Sequence, residues 1–309
     1  MLKIAVLCVT FNRLELLKKL LQIYESQEDF IVQILVVDNH STDGTDCYLH
    51  DWKAKQTYCK REFLRLPLNC GGSGGFYHGL KKLADLPDSF DYIYLSDDDA
   101  FPENGIFSRF SEKYDQLAQK IVGICTSVLS YGQYDLAHRR RIVVQGNKIR
   151  EFYVPIEEYN FTFSLNSASF VGLFIRGVLL QKIEVQKDFF ISYDDTEYCL
   201  SLCKIGDLIC DPELRVHHDV DVTDQDISWK KYYNVRNKLL TYRFHFPAHV
   251  VLYAYAQNIY QTMLMLLGRM DANKSYRWIR CTIRLSAWID AVLNRKGLHK
   301  KYHPGWKSF

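Results

Sequence analysis

Short apolar runs alternate with amphipathic segments along the first hundred residues. Residues 14–24 carry leucines at helical spacing, and a glycine-rich turn opens a second helical pattern with Phe76, Leu80 and Leu83 on one face. Such alternation favours an α/β fold in which helices cover a parallel sheet. The runs that we predict as strands are KIAVLCVTF (3–11), IVQILVVDN (31–39), REFLRLPLN (61–69) and FDYIYLSDDD (90–99).

The rest of the chain divides near residue 228. Residues 121–218 mix strand patterns with one helix after YDDTEY, whereas the later pattern is one of long helices rich in Tyr, Leu and Arg. Charge divides at the same point, because residues 229–309 hold 15 Lys and Arg against 2 Asp and Glu, a balance of +13. Residues 1–228 hold 24 basic and 34 acidic side chains, a balance of −10. We therefore predict two domains, 1–228 and 229–309.

The basic region is typical of a protein that binds an anionic surface, either a membrane or nucleic acid. Apolar and aromatic residues at helical spacing in 250–267 and 276–288 favour peripheral docking on an anionic membrane. These residues could instead pack on the preceding domain or on a second copy of the chain, as in a homo-oligomer. No apolar run reaches the ~18 residues of a spanning helix. Nine scattered cysteines without a Cys-x-x-Cys pair indicate reduced thiols in a cytoplasm.

Polar side chains follow each of the first four predicted strands. In a parallel sheet, ligands bind beyond the carboxyl ends of the strands, so these residues are expected at one edge. Each of them alone is also a good turn or N-cap residue. The residues are Asn12 and Arg13, Asp38 and Asn39, Asn69, and Asp97 to Asp99.

The glycines of NCGGSGGFYHG (69–79) fit neither of two common phosphate-binding motifs. A dinucleotide fingerprint needs a glycine where Tyr77 stands, and a P-loop needs Gly-Lys-Ser/Thr. A turn in which the backbone can approach a ligand closely remains, with a plain flexible loop as the alternative.

Three consecutive aspartates, Asp97 to Asp99, repel one another unless a cation neutralises them. Their hard oxygen atoms suit Mg²⁺ or Mn²⁺, although an acidic surface turn is as common. If the extended conformation continues, Asp97 and Asp99 point to the same side and Asp98 to the other.

A second carboxylate pair, Asp194 and Asp195, stands between an aromatic run and a helical pattern. The pair could cap the helix, or one member could act as a general base that takes a proton from an attacking hydroxyl. Farther on, His217 and His218 end an otherwise apolar strand pattern. Imidazole there is either a further metal ligand or a structural histidine.

Together these stretches resemble inverting glycosyltransferases of the GT-A type in family two, and among them galactofuranosyltransferase-like and rhamnosyltransferase-like bacterial members. The resemblance covers roughly residues 1–245 and implies a Rossmann-like, mostly parallel mixed sheet flanked by helices, with a C-terminal helical region. YYNVRN and WIDAVLNRKG also look like that group's C-terminal region. The motifs, in chain order, are VTFNR, VVDNHSTDGT, LNCGGSGGF, LSDDDA, YDDTEY and VHH.

The resemblance also implies roles for single residues. Asp195 would be the general base and Asp194 would lie at the acceptor site. His218 is favoured over His217 because V-x-H then matches the family's strand ending. Donor-binding roles fall on Arg13, Asp38, Asn39, Asn69, Asp97 and Asp98, and the ligands of a divalent cation, Mn²⁺ or Mg²⁺, would be Asp97, Asp99 and His218.

The implied function is metal-dependent transfer of a sugar from a nucleotide-sugar donor to a lipid-linked saccharide in bacterial cell-surface polysaccharide synthesis. The implied location is the inner face of the cell membrane. UDP-galactofuranose is the expected donor and dTDP-rhamnose the alternative, because Tyr193 stands where galactofuranosyl enzymes tend to have Trp. Asn39 departs from the Asp of many relatives. A sugar nucleotidyltransferase would need a basic glycine-rich loop after the first strand, and a nucleic-acid-binding protein would not explain the aspartates at the strand ends.

Overall fold

The computed structural model of the chain describes residues 2–55, 57–86, 90–115, 120–219, 228–269 and 276–306. Its strands are β1 Ile4–Thr10, β2 Ile31–Asp38, β3 Lys60–Arg65, β4 Tyr92–Asp97, β5 Phe101–Pro102, β6 Ile121–Ser130, β7 Gln133–Tyr134, β8 Arg139–Gln145, β9 Lys148–Tyr153, β10 Phe163–Leu165, β11 Ser167–Ala168, β12 Leu173–Arg176 and β13 Asp207–His217. The α-helices of this part are α1 Leu14–Glu25, α2 Thr45–Ala54, α3 Gly71–Ala84, α4 Ile106–Tyr114, α5 Asp194–Leu202, α6 Lys230–His245, α7 Ala248–Leu266 and α8 Arg277–Val292.

A mixed sheet forms the centre of the protein, in the order β10-β13-β6-β12-β4-β1-β2-β3. The longer strand pairs are parallel: β1 pairs with β2 and β4, β2 pairs with β3, and β6 pairs with β13. The short β12 runs antiparallel to both β4 and β6. These pairings confirm the expected α/β fold with a mixed, mostly parallel sheet.

Helices bury both faces of the sheet, which explains why the central strands read as continuous apolar runs. All seven residues of β1 are buried. On one face α3 contributes Phe76, Leu80 and Leu83, which confirms the predicted apolar side of this helix. The opposite face is covered by α1, α2 and α4. We did not predict α2 because it buries only Thr45, Leu49 and Trp52, a weak periodic signal.

The C-terminal helices share a core with the segment that precedes α5. Phe189, Phe190 and Tyr193 pack with side chains of α6 and α8, including Tyr233 and Ile283. In the described part of the chain, no helix is both long and apolar enough to cross a membrane.

The parallel register brings three strand ends to one edge of the sheet. Thr10 pairs with Asp38, and Val9 pairs with Asp97. The amino-terminal end of α3 packs against this edge through Gly75, whose missing Cβ would lie 2.4 Å from Cγ1 of Val9. Glycine is therefore required here by close approach of the helix to β1.

We predict that Gly75→Ala destabilises the protein, because the stiff side chain of Val9 cannot move away from a new methyl group. Overpacking costs about 1–3 kcal/mol and exceeds the ~1 kcal/mol gained in helix propensity. Gly72→Ala is the matched control on the same helix, since its Cβ would meet no atom within 4 Å. The control should gain about 0.4–1 kcal/mol. Urea denaturation measures both, and equal shifts in the two variants would contradict the packing argument.

Candidate active site

A cleft of ≈ 250 Å³ lies at the carboxyl ends of β1, β2 and β4. Its walls come from distant parts of the chain: the strand ends, the glycine turn before α3, the segment before α5, the start of α6 and the C-terminal segment. The lining residues are Val9, Thr10, Phe11, Arg13, Asn39, Asn69, Gly71, Gly72, Asp97, Asp98, Phe190, Ile191, Trp229, Lys230 and Pro304.

The extended conformation on which the expected alternation of the three aspartates depends does not continue past Asp97. β4 ends at Asp97 and the chain turns at once. Asp98 is therefore buried, and its carboxylate accepts hydrogen bonds from Thr10 Oγ1 at 2.7 Å and from Arg13 Nη1 at 2.9 Å. Arg13 also forms an ion pair with Asp99. Burial opposes the charge of Arg13, but Asp98 and Asp99 outweigh it and raise the pKa of the guanidinium.

Asp97 differs from its neighbours because its carboxylate lacks a direct polar partner among the described residues, although the charge of His218 acts on it. Within the described residues, no side chain or backbone N–H forms a hydrogen bond or an ion pair with its carboxylate. Burial, followed by the charges of Asp99 and Asp98, raises the pKa of Asp97 to about 8. A carboxylate that faces a ligand cleft without a partner fits a divalent cation, which takes few protein carboxylates and completes its shell with phosphate oxygens.

His218 lies beside the aspartates, whereas His217 does not. His218 Nε2 is 3.4 Å from Asp99 Oδ1, and His217 Nε2 instead lies 3.6 Å from Glu103 Oε1. The ring of His218 also meets His138 edge-on, at 5.1 Å between centroids. In the portion of the chain that the structure describes, no three or more His, Cys, Asp or Glu side chains are arranged as a metal site.

The two asparagines hold the glycine turn in place. Asn39 Nδ2 donates to the carbonyl of Gly71 at 2.9 Å, and Asn39 Oδ1 accepts from Cys70 N at 2.9 Å. Asn69 Oδ1 accepts from Gly71 N at 2.8 Å. Both side chains thus line the cleft and orient the backbone that faces it.

Asp38 precedes Asn39, is fully buried and is not among the residues that line the cleft. Its Oδ1 accepts from Ser41 N at 2.9 Å. Its Oδ2 has no hydrogen-bond partner among the described residues and lies 3.6 Å from Arg65 Nη1. A buried carboxylate oxygen left in this state retains its capacity to accept a further hydrogen bond.

The second carboxylate pair begins α5. Asp194 is buried, and burial together with the charge of Asp195 raises the pKa of Asp194 to about 7. Asp195 is partly exposed, and its Oδ1 accepts from Thr196 N. Arg140 donates to Thr196 Oγ1 at 2.8 Å and lies near Asp195, whose charge helps to raise the pKa of the guanidinium against the cost of burial.

Two groups of residues in this region had no signal in the sequence. Glu151 accepts hydrogen bonds from Tyr193 and Tyr242, and ion pairs join it to Arg140 and Lys238. Burial alone would raise the pKa of Glu151, but Lys238, Tyr242 and Arg140 lower it. These residues are far apart in the chain, so no motif connects them.

The second group is the C-terminal wall of the cleft, formed by Trp229, Lys230 and Pro304. The sequence pattern predicts membrane docking for this region, or packing on the preceding domain or a second copy, and does not predict a contact with a ligand. Within the described residues, the ammonium group of Lys230 has no ion-pair partner, so it remains available to an anionic ligand.

Comparison with known proteins gives one family match. The model of glycosyl transferase family 2 matches residues 5–174, which include all four groups of strand-end residues. A search of curated proteins finds no significant match.

Solved structures share the fold over nearly the whole chain. S. aureus TarS 1-349 is 14% identical, with a TM-score of 0.56 over 95% of this chain and 82% of TarS. The mannosyltransferase PcManGT from Pyrobaculum calidifontis, solved with GDP-Man and Mn²⁺, is 14% identical. Its TM-score is 0.56, and the match covers 95% of this chain and 87% of PcManGT. GalNAc-T7, solved with UDP, GalNAc and Mn²⁺, is 11% identical. Its TM-score is 0.59, and the match covers 95% of this chain and 56% of GalNAc-T7.

We predict that Asp194→Asn reduces the pH dependence of stability. Because folding raises the pKa of Asp194 from its usual 3.8 to about 7, its ionisation opposes folding. Its contribution to the free energy of unfolding is highest below pH 4 and is lost as the pH rises to about 7. Between pH 5 and pH 8 the wild type should therefore lose on the order of 1–3 kcal/mol more than the variant.

Urea denaturation at each pH measures this difference. The control is Asp188→Asn, at an exposed aspartate six residues earlier, which should leave the wild-type pH dependence unchanged. Parallel pH profiles for wild type and Asp194→Asn would contradict the raised pKa.

Proposed function

The chain belongs to glycosyl transferase family 2, and from this premise we propose that it catalyses inverting, metal-dependent transfer of a sugar from a nucleotide-sugar donor to a lipid-linked saccharide. One observation carries the proposal: two separate carboxylate groups flank one cleft. Asp97 faces the cleft directly, and the segment that leads into Asp194 lines it through Phe190 and Ile191. Asp194 is close enough that its charge helps to raise the pKa of Asp97.

The donor end of the cleft has the chemistry that a nucleoside diphosphate requires. Arg13 supplies a cation, and the glycine turn oriented by Asn39 and Asn69 lets the backbone approach the ligand. Asp38 offers the buried acceptor oxygen for the donor's base or ribose. The fold relatives are solved with UDP, UDP-GlcNAc or GDP-Man, which supports a nucleotide sugar as the donor class. We take UDP-galactofuranose as the donor, with dTDP-rhamnose as the alternative.

Asp97, with Asp99 and His218 beside it, would hold the divalent cation, Mn²⁺ or Mg²⁺. When bound, such an ion stabilises the negative charge of a diphosphate leaving group. The chain's own residues prepare this end of the cleft. Thr10 and Arg13 hold Asp98 and Asp99 in position, whereas the carboxylate of Asp97 has no hydrogen bond or ion pair with any residue that the structure describes.

The acceptor reacts at the other end of the cleft. We assign Asp195 as the general base: its carboxylate takes the proton of the acceptor hydroxyl as the oxygen attacks the anomeric carbon. The bond between that carbon and the diphosphate breaks in the same displacement, so the anomeric configuration inverts. Asp194, with a pKa of about 7, lies next to the base and contacts the acceptor.

The outer surface of the C-terminal helices supports a lipid-linked acceptor and a location at the membrane. Each of α7 and α8 presents exposed apolar side chains at helical spacing to solvent. The region carries the balance of +13, and Arg269, Lys300 and Lys301 are exposed. An apolar stripe flanked by cations is typical of peripheral attachment to an anionic membrane. The stripes are Leu252, Tyr260 and Met263 on α7 with Leu267 at its C-cap, and Trp278, Leu285, Ile289 and Val292 on α8.

We predict sugar transfer from one nucleotide sugar in a panel of donors with Mn²⁺, and loss of transfer in EDTA. UDP-galactofuranose and dTDP-rhamnose are the decisive members, with an alkyl-linked saccharide as the acceptor. Asp195→Asn should bind UDP normally and lower kcat by about 10²–10⁴-fold, the range expected for loss of a general base. Asp188→Asn serves as the control.

Retained turnover in Asp195→Asn would remove that residue from the role of base. Release of diphosphate from a nucleoside triphosphate and a sugar phosphate, without transfer from any donor, would instead identify a nucleotidyltransferase.

We predict that the protein floats with anionic vesicles and that salt weakens this binding. Replacing Leu252 and Met263 by Ser should lower the bound fraction several-fold, because both side chains are exposed on the α7 stripe. The matched control is Val178→Ser, at an exposed apolar position outside the helices. Arg284 is left unchanged because it bonds Thr262 between α7 and α8. Flotation with phosphatidylglycerol vesicles measures binding. If the wild type instead forms a dimer that does not bind vesicles, and the Ser variant is a monomer, the stripe is a contact with a second copy of the chain.

A further inference from the structure

The segment between the donor cleft and Asp194 has an unusual backbone. Phe190, Ser192 and Tyr193 all have positive φ, at 69°, 68° and 65°. For non-glycine residues this conformation costs of order 1–3 kcal/mol each and persists only where the surroundings enforce it. Phe190 and Ile191 line the cleft, and Asp194 follows directly. The conformation of this segment therefore sets the distance between the donor and the acceptor carboxylates.

Two adjacent residues of α6 hold the carbonyl groups of the segment. Asn237 is fully buried, and its Nδ2 lies 3.0 Å from the carbonyl of Phe189, 2.9 Å from that of Ile191 and 2.8 Å from that of Ser192. Arg236 Nη2 donates to the carbonyl of Phe189 at 3.0 Å. An ordinary loop would direct these carbonyls to water, whereas here they are satisfied by side chains that form no ion pair with a carboxylate in the described part of the chain.

Arg236 also fixes the orientation of its neighbour. Its Nε donates to Asn237 Oδ1 at 2.9 Å, so the amide nitrogen of Asn237 must face the carbonyls. Its Nη1 donates to the carbonyl of Gly297 at 2.7 Å, which connects the pair to the chain beyond α8. Arg236 is itself almost fully buried. The pair thus forms one rigid set of donors.

The glycine turn meets the segment from the opposite side. Ser73 N donates to the carbonyl of Phe190 at 3.2 Å. A Cβ at Gly71 would lie 1.9 Å from the same oxygen, so only glycine allows this approach. The segment is held between α3, which carries the donor turn, and α6.

We propose that Arg236 and Asn237 are positioning residues for glycosyl transfer: they set the strained segment 188–193 and thereby the place of Asp194 and Asp195 relative to the donor. The inference rests on the proposed function for its catalytic consequence. Misplacement of a reacting group by about 1 Å can cost ~10²-fold in rate. The nucleotide binds at Arg13 and the glycine turn, so its affinity should depend little on this pair.

The test compares four variants with the wild type. Asn237→Asp keeps the shape but replaces the amide donor by an acceptor that faces carbonyls. Asn237→Ser is the second variant, because a buried carboxylate costs stability. Arg236→Lys retains the charge and loses the fork of donors. Asn234→Asp, at an exposed asparagine of the same helix, is the matched control.

Three readouts are needed. Amide hydrogen exchange in residues 188–195 reports the rigidity of the segment, and UDP affinity with Mn²⁺ reports the state of the donor site. Turnover is measured as release of UDP from UDP-galactofuranose or of dTDP from dTDP-rhamnose. In the Asn237 variants and Arg236→Lys we expect exchange to become at least tenfold faster, kcat to fall by 10–100-fold and UDP affinity to change less than threefold. The control should match the wild type in all three.

Unchanged kcat together with faster exchange would overturn the positioning role. So would equal losses of kcat and UDP affinity, because a general loss of folded protein produces that pattern. If the wild type releases no nucleotide from any donor, the proposed function fails, and the exchange data still decide whether the pair holds the segment: unchanged exchange in all three variants refutes it.

Discussion

The candidate active site depends on how this fold neutralises negative charge where its central strands end. Asp98 cannot stay buried beside two other carboxylates without compensation. Thr10 and Arg13 supply it from the end of β1, so a single interaction both lowers the cost of the charge and connects the ends of β1 and β4. Within the described residues, Asp97 is the member of the three whose carboxylate has no hydrogen bond or ion pair. The three adjacent side chains therefore differ in how the protein compensates their charge.

Around the cleft, too, some polar groups bond to other parts of the protein and others lack such a bond among the described residues. Asn39 and Asn69 hold the glycine turn, and Arg236 and Asn237 hold the segment before α5, while other groups remain unpaired. Among the described residues, these are the carboxylate of Asp97, which has no hydrogen bond or ion pair, one oxygen of Asp38, which has no hydrogen bond, and the ammonium group of Lys230, which has no ion pair. Side chains that bond backbone carbonyls and N–H groups make the frame rigid, which lowers the entropy lost when a substrate binds.

The sequence predicted the parts of this arrangement that follow from short-range patterns. Buried strands with polar ends, and the apolar side of α3, are visible in runs of fewer than about fifteen residues. Contacts between distant residues were not predictable. Arg13 reaches Asp98 across 85 positions, and the extended conformation on which the expected alternation of Asp97 to Asp99 depended ends at Asp97, where β4 is followed by a turn. In the sequence, Arg236 and Asn237 are visible only as part of the motif YYNVRN. Their spacing does not indicate which backbone carbonyl groups they bond.

The cleft wall formed by Trp229, Lys230 and Pro304 bears on how such a protein diversifies. When relatives exchange a whole domain, one property can change without the others only if that domain makes no contacts with the rest of the protein. Here a graft that replaces the C-terminal helices would carry in a new wall for the donor cleft and new partners for the segment before α5. Under the proposed function, such a graft would change membrane attachment and sugar transfer together, whereas single substitutions on the outer faces of α7 and α8 would change attachment alone.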